Sequence, residues 1–216
     1  MATARGAALW VVAAVGYLVL EAAAAAGFEP VYSYARNYIS ELGVTGGELV
    51  HGRMTDSRHA FLMHTAFYLQ GILFFLGALL IVGVPESRRA RLFLGLVAAN
   101  AVGNIVIGTV HSGKVHLAGA ALAIVAGNTA ILTGSAVVGT VGGRRWYRAI
   151  SKLVAGLGLL CLIMLMINSA TTKANLLPDG AWERGSVYSI IMWQLLTAGC
   201  LLTIRRPLAA ARLHPD

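Results

Sequence analysis

Charge is scarce in this chain. Asp, Glu, Lys and Arg make up 12% of its 216 residues, about half the share of an average soluble domain. Acids are the rarer sign: nine Asp and Glu stand against 17 Lys and Arg, a net charge of +8. Cysteine is nearly missing. Cys161 and Cys200 are too few for a disulfide framework, and their depths in two different apolar runs differ by roughly 9 Å, beyond disulfide reach. There is no His-Glu-x-x-His, no Cys-x-x-Cys and no Gly-x-Ser-x-Gly; the motifs of helical zinc sites, thiol pairs and serine-hydrolase elbows are therefore absent. No Lys/Arg cluster with interleaved aromatics suggests a nucleic-acid face.

Apolar residues fill the space that charge leaves. They reach 57% of the chain, and the mean hydropathy is +0.72. A disordered chain, a coiled coil, a collagen-like repeat and an ordinary soluble enzyme are excluded. Six stretches are long enough to cross a hydrocarbon core of about 30 Å, which needs roughly 20 residues of helix. They run near residues 7–27, 61–84, 92–110, 115–141, 149–169 and 186–204. They are too long for barrel strands and lack period-2 alternation. The expected fold is all-α: a polytopic membrane bundle of six transmembrane helices in one domain, residues 1–216. The first run, with Arg5 before it and Ala22–Ala26 at its end, is read as a retained helix rather than a cleaved signal peptide.

Basic residues set the expected orientation. With both termini cytoplasmic, eleven of the 17 fall inside, among them Arg88, Arg89, Arg91, Arg144, Arg145 and Arg148. Loops 1, 3 and 5 are then extracytoplasmic, and the protein is a multi-pass protein of the plasma (inner) membrane. The basic excess faces anionic headgroups and needs no nucleic acid. Loop 1, residues 28–60, is long for a compact domain and such loops are usually functional. Tyr32–Leu42 is expected to form a short interfacial helix ending at Gly43, and Asp56 to cap the second span.

Large polar side chains concentrate in the outer half: Glu21, His64, Gln70, Asn100, Asn104, His111, His116, Asn128, Asn168 and Gln194. The inner half offers mainly hydroxyls that can bond to their own backbone, such as Thr133, Ser135 and Thr203. A polar cavity or network toward the outside, above a dry inner seal, is expected. Gln70, Asn100, Asn104 and Asn128 read best as interhelical hydrogen bonds. Glu21, an acid within a span, reads either as a functional group or as a structural partner of Arg36, Lys173 or Arg184. Arg36, Lys114, Lys173 and Arg184 could clamp a phosphate or carboxylate, or simply anchor at the interface. His111 and His116 flank a tight turn and are weak metal candidates; no metal site and no cofactor are assigned. Small residues at helix spacing (Gly95, Ala99 and Gly103; Gly119, Ala123 and Gly127) suit close helix packing inside the molecule or a protein partner.

Three pieces carry a resemblance: Tyr38-Ile39-Ser40-Glu41-Leu42-Gly43 after the first span, His116 opening the fourth, and Glu183-Arg184 followed by Trp193. With them the chain resembles, over nearly its whole length, the bacterial and archaeal membrane family called domain of unknown function 998. The resemblance implies six helices, points to Ser40, Glu41, His116, Glu183 and Arg184, and implies that these outer pieces form one site. The expected ligand-binding set is Glu21, Arg36, Asn37, Ser40, Glu41, His111, His116, Glu183, Arg184 and Trp193. The leading expectation is an outward-facing site for a lipid headgroup or small polar ligand, with membrane lipids as partners. One alternative is a membrane-embedded lipid hydrolase or transferase using Ser40 or a bound water, with His116 and Glu41 or Glu183 as base and orienter. Another is a subunit of a larger membrane assembly. A proton-coupled transporter through Glu21 is opposed by the dry inner half.

Overall fold

A computed structural model describes residues 1–50, 53–171 and 176–203. His51, Lys173 and the basic C-terminal residues Arg205, Arg206 and Arg212 lie outside the described residues. Six long helices dominate: α1 (Ala2–Ala26), α2 (Ala60–Val82), α3 (Arg88–Thr109), α4 (Gly113–Gly134), α5 (Arg145–Ala170) and α6 (Asp179–Thr203). All six are long and apolar enough to cross a membrane.

Punctuation in the sequence explains where the helices stop. Ser87 caps α3, its Oγ accepting from the Ala90 N–H at 3.1 Å. The fourth apolar run is expected to stay helical to residue 141, but α4 ends at Gly134. The chain then turns through Gly139, whose φ of +50° favours glycine, into a 3-10 turn at Gly139–Gly143. A boundary change of the same size occurs in α6. It begins at Asp179, directly after Pro178, two turns before the expected start. Glu183 and Arg184 therefore stand on a rigid helix and not in a loop.

Loop 1 departs from the all-α expectation. It holds a small antiparallel sheet in the order β1–β3–β2, made of β1 (Phe28–Glu29), β2 (Glu48–Val50) and β3 (Arg53–Ser57). Phe28 pairs with Ser57, and Glu48 pairs with Thr55. In place of the expected helix over Tyr32–Leu42 there is a turn and a 3-10 segment at Ser40–Gly43. Asp56 lies on β3, where its Oδ1 accepts from the Gly46 N–H at 3.3 Å, and caps no helix. The physical reason is closure. The start and end of the loop must meet, because α1 and α2 pack side by side, and pairing β1 with β3 satisfies both backbones there.

Contacts between successive helices place them antiparallel. Gly77 of α2 meets Trp10 of α1, and Gly27 meets His59 at the other end. The chain forms a ring of α1, α2, α3, α4 and α6, with α5 packed outside against α4 and α6. Leu153, Leu157, Leu160 and Ile163 leave one side of α5 exposed, as a lipid-facing helix requires.

Gly103, Gly119 and Gly127 of the small-residue faces are packed within the molecule. A Cβ on Gly103 would lie 2.5 Å from the Ala123 backbone N and 2.6 Å from the Gly119 carbonyl O. Gly103→Val is therefore expected to push α3 and α4 apart and lower the melting temperature in detergent. Gly95→Val, where a Cβ meets open space, should leave that temperature nearly unchanged. Overpacking typically costs about 1–3 kcal/mol.

The core has two layers. Toward the arginine-rich end, Trp10, Phe74, Phe93 and Trp193 pack ring against ring, with centroid separations from 5.3 to 6.4 Å. The hydroxyls of this half are satisfied locally: Ser135 on Leu132 O, Thr133 on Ala130 O and Thr203 on Gly199 O. Thr197 instead bonds across to Tyr147 at 2.7 Å. Toward loop 1 the core is Tyr17, Ile39, Leu42, Met63, Phe67, Ile107 and Ile191, and this layer encloses the polar groups described next.

Candidate functional site

The first feature is a buried ion pair. Glu21 on α1 is 1% exposed and Arg184 on α6 is 7% exposed. Arg184 Nη2 donates to Glu21 Oε1 at 3.0 Å and to the Tyr32 hydroxyl. Nη1 donates to three carbonyls: Tyr34 at 2.6 Å, Asn37 at 2.9 Å and Gly180 at 3.1 Å. The Tyr188 hydroxyl donates to the other carboxylate oxygen, Glu21 Oε2, at 2.8 Å. The guanidinium carbon lies 5.3 and 4.9 Å from the Tyr32 and Tyr34 ring centroids, within cation–π range. A buried pair is tolerable only when its remaining donors and acceptors are met. Here loop 1 and α6 meet all but Arg184 Nε, which is buried without a partner.

The same helix end holds loop 1 in three further ways. The Ile39 N–H donates to Glu183 Oε2. The Tyr38 hydroxyl donates to Asp179 Oδ2 at 2.8 Å. The Ala181 N–H donates to Ala35 O at 3.0 Å. Approach is so close that a Cβ on Gly180 would run into the Asn37 carbonyl O. Within the loop, Asn37 accepts from the Ser33 N–H through Oδ1 and donates to Glu41 Oε2 at 2.5 Å. Burial pushes the phenols of Tyr32 and Tyr38 above their ordinary value, so both remain hydroxyl donors at neutral pH.

The second feature is a cavity beneath the Ser40–Gly43 segment. The cavity volume is about 40 Å³, room for a few waters or one small polar group. Ile39 and Ser40 roof it; α1, α2, α3, α4 and α6 each supply wall, and α5 supplies none. Its polar lining is Tyr17, Ser40, Gln70, Asn100, Asn104, His116 and Glu183. Phe67, Ile107, Ile124, Ile190 and Ile191 are among the apolar remainder. Two of the polar atoms are buried without a partner, the Tyr17 hydroxyl and Gln70 Oε1. His116 Nδ1 lies 2.6 Å from the Val110 carbonyl O. A carbonyl can only accept, so Nδ1 carries a proton and, in the neutral ring, Nε2 is left as an acceptor.

The expected site residues divide between these features and elsewhere. Ser40, His116 and Glu183 line the cavity. Glu21, Asn37 and Arg184 form the ion-pair network, with Glu41 held through Asn37. Of the three basic candidates for Glu21, Arg184 is its partner; Arg36 is exposed and Lys173 lies outside the described residues. His111 stands apart, its Nε2 3.2 Å from Glu48 on the surface. Trp193 is far from the mouth, wholly buried between Trp10 and Phe93 with its indole N–H on Ser151 Oγ at 3.0 Å. Among the described residues no group of three or more His, Cys, Asp and Glu side chains is placed to hold a metal ion.

Three of the four amides read as interhelical bonds make them, while Asn104 bonds back within α3, to Asn100 O at 2.9 Å and Asn100 Oδ1 at 3.3 Å. Asn100 donates to Ala123 O on α4, Asn128 to Ser186 O on α6, and Gln70 to Gln194 Oε1 on α6. Gln70, Asn100 and Asn104 also face the cavity, a double role that spacing along one helix could not reveal. Tyr17, one turn from Glu21, was legible as a neighbour of an acid and not as a wall of the cavity. Tyr32, Tyr34 and Tyr188, which complete the Glu21–Arg184 network, carry no sequence signal beyond their suitability for the headgroup layer.

A family comparison covers both features, matching residues 11–199 to the family described as Protein of unknown function (DUF998). The chain belongs to this family. The match runs from the middle of the first helix to near the end of α6, and so takes in every residue of the cavity and of the ion-pair network. No curated protein and no solved structure matches the chain. The DUF998 description names no activity, and the functional reading rests on the residues themselves.

Proposed function

We propose that this protein is a membrane-embedded binding protein that takes the polar group of a lipid or small molecule into the cavity beneath Ser40. The site would face the extracytoplasmic side, given the excess of basic residues at the opposite end of the bundle. One observation carries the reading. The Tyr17 hydroxyl and Gln70 Oε1 are buried in the cavity wall with no partner, and an unmet polar group in an apolar interior costs roughly 1–3 kcal/mol. A ligand or ordered water that bonded to them would recover that cost. Its lining has the composition usual in a ligand site, mostly apolar walls with a few placed polar groups.

The test is native mass spectrometry of the protein drawn from membranes in lipid nanodiscs. Wild type should retain a bound small molecule or lipid that Tyr17→Phe loses in part at unchanged melting temperature, and that Gln70→Leu loses in part with a lowered one, because Gln194 then lacks its donor. A wild-type spectrum free of adducts, under conditions that preserve lipid on other membrane proteins, would remove the reading.

A second reading has a specific observation in its favour. Ser40, His116 and Glu183 line one cavity, and His116 presents an acceptor nitrogen, the elements of nucleophilic acyl transfer. In that reading a fluorophosphonate probe should label the protein, and both Ser40→Ala and His116→Ala should abolish labelling. Labelling indifferent to both changes would dispose of it.

A further inference from the structure

We propose that the cavity selects an uncharged hydroxyl group, the free alcohol of a neutral lipid or of a polyol, over an anionic phosphate. This rests on the reading of the cavity as a binding site and adds the chemistry of what it binds.

Hydrogen-bond valence around the cavity is only partly spent. Each wall amide and His116 has one N–H already bonded to protein. Asn100 Nδ2 donates to Ala123 O at 2.7 Å, and Asn104 Nδ2 donates to Asn100 O at 2.9 Å. Gln70 Nε2 donates to Gln194 Oε1 at 2.6 Å, and the His116 Nδ1 proton is on Val110 O. What remains open is of both kinds: as acceptors Gln70 Oε1, the Nε2 lone pair of neutral His116 and the carboxyl of Glu183, and as donors the second N–H of the Asn100 and Gln70 amides. The hydroxyls of Tyr17 and Ser40 can donate or accept. Such a wall suits a group that brings its own proton and can also accept one bond. That describes an alcohol.

A phosphate is the opposite case. It brings acceptors only, and its recognition needs Arg, Lys or a cluster of N–H groups. The cavity lining contains no Lys or Arg. Arg184 is not in the lining; both terminal nitrogens are committed to Glu21, Tyr32 and three carbonyls, and its unpartnered Nε is buried outside the cavity wall. Glu183 in the wall would add repulsion when ionised. Phe67, Ile107, Ile190 and Ile191 offer apolar contact to the carbon skeleton beside the hydroxyl.

The full chain in phosphatidylcholine nanodiscs can be titrated with dioctanoylglycerol, dioctanoyl phosphatidic acid and free glycerol, with bound ligand counted by native mass spectrometry. Dioctanoylglycerol should bind at least tenfold more tightly than dioctanoyl phosphatidic acid, and Tyr17→Phe should weaken it by about tenfold, the value of one hydrogen bond. Glycerol binding as tightly as dioctanoylglycerol would support the hydroxyl chemistry and assign it to a free polyol. Phosphatidic acid binding equally or better would overturn the selectivity while leaving the cavity a binding site. No binding of any of the three would overturn the proposal, and an adduct retained from the native membrane would show that the broader reading survives it.

Discussion

Arg184→Met is expected to be the most damaging single polar substitution in the protein, with a loss of about 3–5 kcal/mol, the usual effect of stranding one member of a buried pair. Glu21 would remain 1% exposed with only the Tyr188 hydroxyl as partner. Three carbonyls, Tyr34, Asn37 and Gly180, would lose their donor. Two readouts separate this from general damage. The melting temperature in detergent should fall, and limited proteolysis should cut first in residues 31–43, because Arg184 is the principal tie between that segment and α6. The double variant Glu21→Gln with Arg184→Met should recover part of the loss, since it removes the stranded charge. A double variant no more stable than Arg184→Met alone would contradict the view that charge burial, and not packing, sets the cost.

Trp193→Ala should cost about 3–5 kcal/mol for a different reason, the void left by a large buried ring. Trp193 touches Trp10, Phe74 and Phe93 and donates to Ser151. The sequence suggests it as a ligand contact, because it follows Glu183-Arg184 on the same span. At 1.5 Å of rise per residue it lies roughly 15 Å deeper than Glu183. The variant should therefore lose thermal stability and keep its ligand affinity when both are measured below its melting point. A large affinity change with intact folding, on the order of tenfold or 1.4 kcal/mol, would place Trp193 at the site.

The helices were legible because a bilayer demands length, and length in apolar residues can be counted. What was not legible follows from where that counting stops. α6 begins with Asp179, Trp182, Glu183 and Arg184, too polar for an apolar window, so its first two turns looked like loop. The loop-1 sheet pairs strands of two to five residues, shorter than any periodicity can register. The expectation of a polar half above a dry half follows from the depth of each amide, and the packing of Trp10, Phe74, Phe93 and Trp193 shows how the dry half is filled. Which cation answers Glu21 could not be read, because Arg184 lies 163 positions away and spacing ranks it no higher than Arg36. Ser40, His116 and Glu183 could be named from their residue types, but only the ring of five helices puts them around one space.

Whether that space holds a polar group is most directly measured by an experimental density map of the protein, extracted from its membrane into nanodiscs without detergent. Non-protein density is predicted within hydrogen-bond distance of the Tyr17 hydroxyl and Gln70 Oε1, beneath Ser40. A collapsed interior, with those two atoms bonded to protein partners and no density between them, would contradict it.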